Sequence, residues 1–308
     1  MDMNRRGFIK RTAALGGALL VGGHASKALA ADNGIARIDR FAVLTDLTKC
    51  VGCRSCERAC AKANNLSMPG VGHYADPTVY QKKRRPEAHT YTVINEYKNR
   101  KWTKPVYRKV QCNHCIDPAC AAACLVGALK KTPEGAVLYR EDLCIGCRYC
   151  MTACPFNIPA FDYHNAASPA IQKCNMCYHR TSKGMVPACV EACPVQANLF
   201  GKRSKLMKLA RERIATDKKY VDHIYGEREA GGTDWIYISG VPFEEVGFDM
   251  TVEKTSYPEF TKGFLSAVPI VLVTWPVLLG GMAILAKRGK ESSKDHSGNQ
   301  PKEGASHE

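Results

Sequence analysis

Two stretches decide how this chain is read: Cys50-Val51-Gly52-Cys53-Arg54-Ser55-Cys56-Glu57-Arg58-Ala59-Cys60 and Cys144-Ile145-Gly146-Cys147-Arg148-Tyr149-Cys150-Met151-Thr152-Ala153-Cys154. Both space their cysteines C-x2-C-x2-C-x3-C. Two further quartets keep the ends of that pattern and change its middle. Cys112, Cys115, Cys120 and Cys124 widen the central gap to four residues, and Cys174 and Cys177 are separated by eleven residues from Cys189 and Cys193. The four quartets use all 16 cysteines of the 308-residue chain.

The spacing follows from the chemistry of a four-iron cubane, which needs four thiolates at its corners. Three cysteines of one tight loop can grip three irons while loop amides hydrogen-bond to the sulfurs. Gly52 and Gly146 stand where the backbone has to turn tightly. The fourth cysteine lies beyond reach of the same cube and, in two-cluster ferredoxins, ligates the other one. Four quartets therefore predict four [4Fe-4S] clusters in two cross-ligated pairs. A disulfide framework would scatter cysteines through loops instead of repeating one spacing, and cysteines two residues apart seldom pair with each other. Paired C-x2-C units can make a zinc ribbon, but C-x2-C-x2-C-x3-C is far more specific to iron-sulfur ligation. No C-x2-C pair is followed directly by histidine, so the chain carries no c-type haem signature.

Composition agrees. The hydrophobic fraction is 45%, or roughly 40% without the cysteines, thin for one large core, so something besides aliphatic packing must hold the chain together. The formal net charge of +15 would by itself suggest nucleic acid or an acidic membrane surface. Residues 1–30 carry five basic side chains against Asp2, so a chain beginning at residue 31 has +11. Four oxidised clusters with their thiolates, at about −2 each, lower the total to roughly +3. No nucleic-acid partner is expected.

The N-terminus reads Asn4-Arg5-Arg6-Gly7-Phe8-Ile9-Lys10, then an apolar stretch from Ala13 to Gly23, then Ala28-Leu29-Ala30 as a cleavage site. This predicts a twin-arginine signal peptide over 1–30 and export of a chain already loaded with cofactor. From Gly263 to Ala286 there is no charged residue. A helix of that length reaches about 36 Å, enough to cross a membrane, with Pro269 and Pro276 as expected kinks. Lys287, Arg288 and Lys290 follow at once, so the C-terminus is expected on the cytoplasmic side of the membrane. Residues 287–308 read as a disordered tail.

Between these segments lie a linker over 31–40, a four-cluster domain over 41–205 with an insertion at 61–111, and a C-terminal extension over 206–262 expected to pack on it. Strands are expected at Phe41 to Leu44, Thr90 to Tyr97, Val106 to Val110, Ala136 to Tyr139 and Trp235 to Ser239. A helix is expected over Ser204 to Ala215, with Leu206, Leu209 and Ile214 as a core stripe. The basic run Lys82 to Arg85 reads as a solvated loop. The fold class is α+β: two bacterial-ferredoxin-like modules related by pseudo-twofold symmetry, plus one C-terminal transmembrane helix.

On its four motifs the sequence resembles, over roughly residues 41–240, the four-cluster ferredoxin-like subunits of bacterial membrane oxidoreductases. The twin-arginine signal, the C-terminal anchor and the segment Gly226 to Pro242 make it most similar to the periplasmic iron-sulfur subunits of hydrogenase-2 type nickel-iron hydrogenases. Formate dehydrogenase iron-sulfur subunits look similar and stand second. In such families the first quartet pairs with the fourth and the second with the third, a pairing that spacing alone does not dictate. The resemblance therefore implies clusters held by Cys50, Cys53, Cys56 and Cys193; by Cys174, Cys177, Cys189 and Cys60; by Cys112, Cys115, Cys120 and Cys154; and by Cys144, Cys147, Cys150 and Cys124. Proline follows Cys154 and Cys193, as is common there, but Ala61 and Leu125 follow Cys60 and Cys124.

No catalytic constellation is legible. The nine histidines are scattered, and His114 reads as a hydrogen-bonding or surface residue and not a ligand. No phosphate- or dinucleotide-binding motif appears. The resemblance implies a non-catalytic electron-transfer subunit. It would relay electrons between the small and large subunits of a periplasmic nickel-iron hydrogenase and an integral membrane quinone-reactive subunit, at the periplasmic face of the cytoplasmic membrane. The alternatives are the same wire serving a molybdopterin oxidoreductase such as formate dehydrogenase, and a stand-alone cluster protein for redox sensing or assembly.

Overall fold

The computed structural model describes residues 39–163 and 171–297. The expected signal peptide, most of the linker and the end of the tail lie outside the described residues. The chain is organised on a three-stranded sheet in the order β8-β1-β9. Its central strand, β1 (Phe41–Asp46), pairs antiparallel with β8 (Asn198–Lys202), Phe41 opposite Lys202. It pairs parallel with β9 (Trp235–Ile238), Val43 opposite Trp235.

Strand periodicity sorts this sheet into two faces. Val43, Trp235 and Tyr237 face a core that also contains Cys56, Cys60, Cys112, Cys174 and Cys189. Ala42, Leu44, Ile236 and Ile238 face the other way, onto Leu206, Met207 and Ala210 of helix α7 (Arg203–Thr216). The expected stripe is core packing as read: Leu206 is buried, and Leu209 and Ile214 pack at its margin. The C-terminal extension does more than pack on the domain, since it supplies β9, every residue of which is buried. A run of four apolar residues with both faces covered is what a strand inside a core requires.

The rest is short. Hairpins β2 (Val93–Tyr97) with β3 (Val106–Val110), β4 (Leu129–Lys131) with β5 (Val137–Tyr139) and β6 (Ala160–Phe161) with β7 (Ile171–Gln172) alternate with helices α1 (Ser55–Ala63), α2 (Val71–Ala75), α3 (Ala119–Ala122), α4 (Tyr149–Ala153), α5 (Tyr178–Thr181) and α6 (Ala188–Glu191). Four of these helices carry quartet cysteines, and they pack in pairs: α1 against α6, and α3 against α4. A second core, built from Cys120, Leu129, Val137, Cys150 and Ile171, lies at the α3–α4 pair. Cysteines are thus core residues at both pairs, which answers the shortage of aliphatic side chains.

Lys82, Lys83 and Arg85 of the basic run are exposed, as expected of a solvated loop, but Arg84 departs from that reading. Arg84 reaches from the insertion to Glu57 of α1, whose carboxylate also pairs with Arg54 and accepts the Ile94 N–H. Arg85 donates to the Asn157 carbonyl. Arg84 is held down because Glu57 is buried and has to be compensated.

Helix α8 runs from Tyr257 to Ser297, starting before the expected span, enclosing Pro269 and Pro276, and continuing into the segment read as a tail. Residues 257–288 are long and apolar enough to cross a membrane, and among the described residues nothing buries the apolar window. Phe264, Leu272, Val277 and Leu278 are all exposed. It is no core helix of this domain.

Candidate metal centres

In all four quartets the residue two places after the first cysteine has a left-handed backbone: Gly52 (φ 72°), His114 (φ 50°), Gly146 (φ 68°) and Met176 (φ 56°). That conformation turns successive N–H groups to one side and makes a concave cradle for an anion. The N–H of each donates to the sulfur of the first cysteine: Gly52 to Cys50, His114 to Cys112 at 3.5 Å, Gly146 to Cys144 at 3.4 Å and Met176 to Cys174 at 3.4 Å. At Gly52 a Cβ would also run into the Tyr107 ring.

The last cysteine of each quartet is served by the residue four places on. Ala128 N–H donates to Cys124 and Ala197 N–H to Cys193, each at 3.2 Å, and Ile158 N–H to Cys154. A left-handed residue turns each of these loops: Gly127, Gln196 and Asn157. Cys60 is different because α1 continues past it. The Asn64 N–H is spent on the Cys60 carbonyl, and the Asn64 side chain approaches the Cys60 sulfur in its place, at 3.6 Å.

The cysteines gather across quartets. Cys50, Cys53 and Cys56 line one cavity with Cys193. Cys144, Cys147 and Cys150 line another with Cys124. Burial pushes the Cys60 thiol well above the ordinary range, and the thiols acting on it next are Cys174, Cys189 and Cys177. Burial does the same to Cys115, followed by Cys154, Cys112 and Cys120. Thiols of different groups neighbour one another: Cys56 neighbours Cys189, Cys174 neighbours Cys112, and Cys120 neighbours Cys150. Cys53 and Cys147 are exposed, whereas Cys60, Cys174, Cys177, Cys189, Cys112 and Cys120 are buried.

These donors fit iron-sulfur clusters. All sixteen cysteines are free of disulfides. Burial pushes Cys50, Cys150 and Cys154 up to about 11 and Cys120 and Cys174 up to about 12. Thiols so placed give up their protons only to a cation, which iron supplies. Among the described residues no three His, Cys, Asp or Glu side chains converge closely enough to hold a single ion. A tetrahedral zinc with bonds of about 2.3 Å would draw its sulfurs to about 3.8 Å from one another, and a cubane holds them wider.

His114 is wholly buried, so of the two expected roles, hydrogen-bonding or surface, it takes the first and not the second. The Val137 N–H donates to its Nδ1 at 3.0 Å, so the ring proton sits on Nε2, which lies 3.5 Å from the Cys174 sulfur. Burial, followed by the charges of Lys173, Lys131 and Lys109, holds the ring well below the usual histidine range, hence neutral. A histidine of the second quartet's loop thereby donates to a cysteine of the fourth. Sequence reading also missed Lys109 and Lys173, both buried among these cysteines. Nothing in the local sequence separates them from solvated lysines.

Residues 103–203, which hold twelve of the sixteen cysteines, match the family model described as a 4Fe-4S dicluster domain. A protein of Nitratidesulfovibrio vulgaris is 50% identical over 251 residues, covering 81% of this chain and 68% of its own length. The hydrogenase-2 operon protein HybA of Escherichia coli O157:H7 is 37% identical over 279 residues, covering 79% of this chain and 83% of its own. The chain belongs to the HybA-like family of iron-sulfur subunits. The family is related to the formate dehydrogenase branch. The iron-sulfur subunit of the nitrate-inducible formate dehydrogenase of E. coli K12 is 36% identical over 203 residues, 64% of this chain and 67% of its own. As a member of the HybA-like family the chain is an electron-transfer subunit, not itself catalytic, and its sixteen cysteines are consistent with four [4Fe-4S] clusters.

Proposed function

We propose that the chain is a four-cluster electron relay between a periplasmic nickel-iron hydrogenase and an integral membrane quinone-reactive subunit. The gathering of cysteines from different quartets into mixed, mutually neighbouring groups carries this reading. The ligand sets are Cys50, Cys53, Cys56 with Cys193; Cys174, Cys177, Cys189 with Cys60; Cys112, Cys115, Cys120 with Cys154; and Cys144, Cys147, Cys150 with Cys124. Each takes three thiolates from one quartet and the fourth from its partner. The helix pairs α1–α6 and α3–α4, which pack together, are the centres of two modules in this proposal, and a pseudo-twofold relation between the modules is part of it. Each cluster, when bound, supplies one-electron chemistry with little reorganisation. The protein's part is to bury the two inner sites, direct amides at the sulfurs, and leave one ligand exposed at each end for electron entry and exit.

The wider coverage of HybA than of the formate dehydrogenase subunit favours the hydrogenase partner. Metal analysis of anaerobically purified protein is expected to give roughly sixteen irons per chain, four in each of four sites; about eight, or stoichiometric zinc, would refute four clusters. Purification from washed membranes tests the partner. Hydrogen, and not formate, is expected to reduce quinone through the co-purified complex. The converse result would assign the relay to a molybdopterin oxidoreductase.

Export by the twin-arginine route and anchoring by α8, with Lys287, Arg288 and Lys290 cytoplasmic, complete the proposal. Replacing Arg5 and Arg6 together by lysine is expected to leave cluster-bearing protein in the cytoplasm, measured by fractionation followed by iron assay. Normal export of that variant would exclude the route.

A further inference from the structure

Lys109 lies on β3, inside the insertion, and only 2% of its surface is exposed. A buried ammonium has to be compensated. For other cations of this fold compensation comes from carboxylates: Asp234 receives Lys131, Arg40 and Arg203, and Glu57 receives Arg54 and Arg84. Among the described residues Lys109 has no such partner. Its ammonium donates to the neutral Gln111 side chain at 3.0 Å and sits 4.4 Å from the centre of the Trp235 ring. What surrounds it instead is sulfur. Lys109 lines the cavity of Cys50, Cys53, Cys56 and Cys193, and the thiols next to its charge are Cys189, Cys56, Cys174 and Cys60.

We propose that Lys109 is the internal counter-ion shared by two adjacent clusters, the one at Cys50, Cys53, Cys56 and Cys193 and the one at Cys60, Cys174, Cys177 and Cys189, and that its fixed charge raises the reduction potential of both. The inference rests on the four-cluster reading above. Reduction adds one electron to a cluster and its four thiolates, taking their net charge from about −2 to about −3. The electron comes from the neighbouring site; no bond breaks and no proton moves. A positive charge held in a low-dielectric interior favours the more negative state. It acts on both sites because Lys109 lines the cavity of the first and its ammonium rests on Trp235, which packs in one core with Cys60, Cys174 and Cys189 of the second. The two potentials are thereby tied together, so that neither site becomes a trap for the electron passing through.

Lys173 offers an internal comparison. It too is buried, its ammonium donates, among the described residues, to the carbonyls of Val137 and Cys174, and the thiols that feel it include Cys120 and Cys154. Its influence falls on the third ligand set instead of the first.

The test is an EPR-monitored redox titration of the full-length, anaerobically purified protein, with iron counted in each sample. In Lys109→Met, which keeps the stem and removes the charge, the equilibrium constant for reduction is expected to fall roughly tenfold or more at two clusters, about 59 mV for a one-electron couple. The other two stay in place. Lys109→Arg keeps the charge and should hold all four within about threefold of wild type, while Lys173→Met should move a cluster that Lys109→Met leaves alone. Iron-replete Lys109→Met with four unmoved potentials would overturn the proposal, and so would equal shifts in the Met and Arg variants, which would mean packing and not charge. If both lysine variants lose iron, Gln111→Glu decides. It leaves Lys109 in place with a carboxylate against it, and unchanged potentials there would again overturn the proposal. An iron count near eight in the wild type would instead refute the four-cluster reading itself.

Discussion

Cys60→Ser is expected to alter the cluster gripped by Cys174, Cys177 and Cys189 and to spare the one gripped by Cys50, Cys53 and Cys56, although Cys60 belongs to the latter's sequence motif. The reason is the direction of α1. Cys56 and Cys60 both lie on this helix, one turn apart, and the helix packs against α6, which carries Cys189. One turn of rise moves the second sulfur about 6 Å along the axis, away from the first loop and toward its neighbour. Cys193→Ser should show the reverse, perturbing the site of Cys50, Cys53 and Cys56, whose cavity it lines although it is distant in sequence. Serine is a poor ligand for iron, so each variant should lose or grossly shift one cluster signal. Spectra of the two beside Cys53→Ser provide the comparison. If Cys60→Ser and Cys53→Ser disturb the same signal, each quartet closes its own site and the cross-ligated arrangement is wrong.

Truncation before Gly263 is expected to release a soluble domain that retains its iron and no longer passes electrons to quinone. Residues 263–286 hold twelve Leu, Ile, Val and Phe side chains. At roughly 0.3–0.6 kcal/mol each these favour insertion by about 4–7 kcal/mol, before smaller costs from glycine and proline. No cysteine lies in α8. The helix meets the domain at its base, near α3, where Ser256 Oγ donates to Asp117 at 2.7 Å, and this contact survives the cut. Carbonate-washed membranes from cells lacking the partner subunits provide the measurement, with iron assayed in the soluble fraction. Truncated protein that remained in those membranes would show that another surface holds it there.

Much of the chemistry was legible from cysteine spacing because the spacing is local. Three thiolates and a tight turn must come from one short run of chain, so the run announces itself wherever it occurs. The strands beginning at Phe41, Val106 and Trp235 and the helix spanning Ser204 to Ala215 were legible for a similar reason, since their periodicity reports which side is covered. Glycine marked the left-handed position in only two of the four loops. His114 and Met176 adopt it without that signal, at a cost of the order of 1 kcal/mol for a non-glycine residue.

What the sequence by itself determined is the set of sixteen donors, their division into quartets and the apolar helix that follows them. Tertiary structure alone decided which quartets meet, through the packing of α1 on α6 and α3 on α4. It decided that β9, from the far side of the fourth quartet, completes the sheet begun by β1. It turned a lysine of an insertion, a histidine of one loop and an arginine of a basic run into partners of buried groups distant in sequence. The physical reason is one of range. Ligand spacing and strand or helix period act over a few residues, whereas the compensation of a buried charge depends on whatever the fold brings beside it.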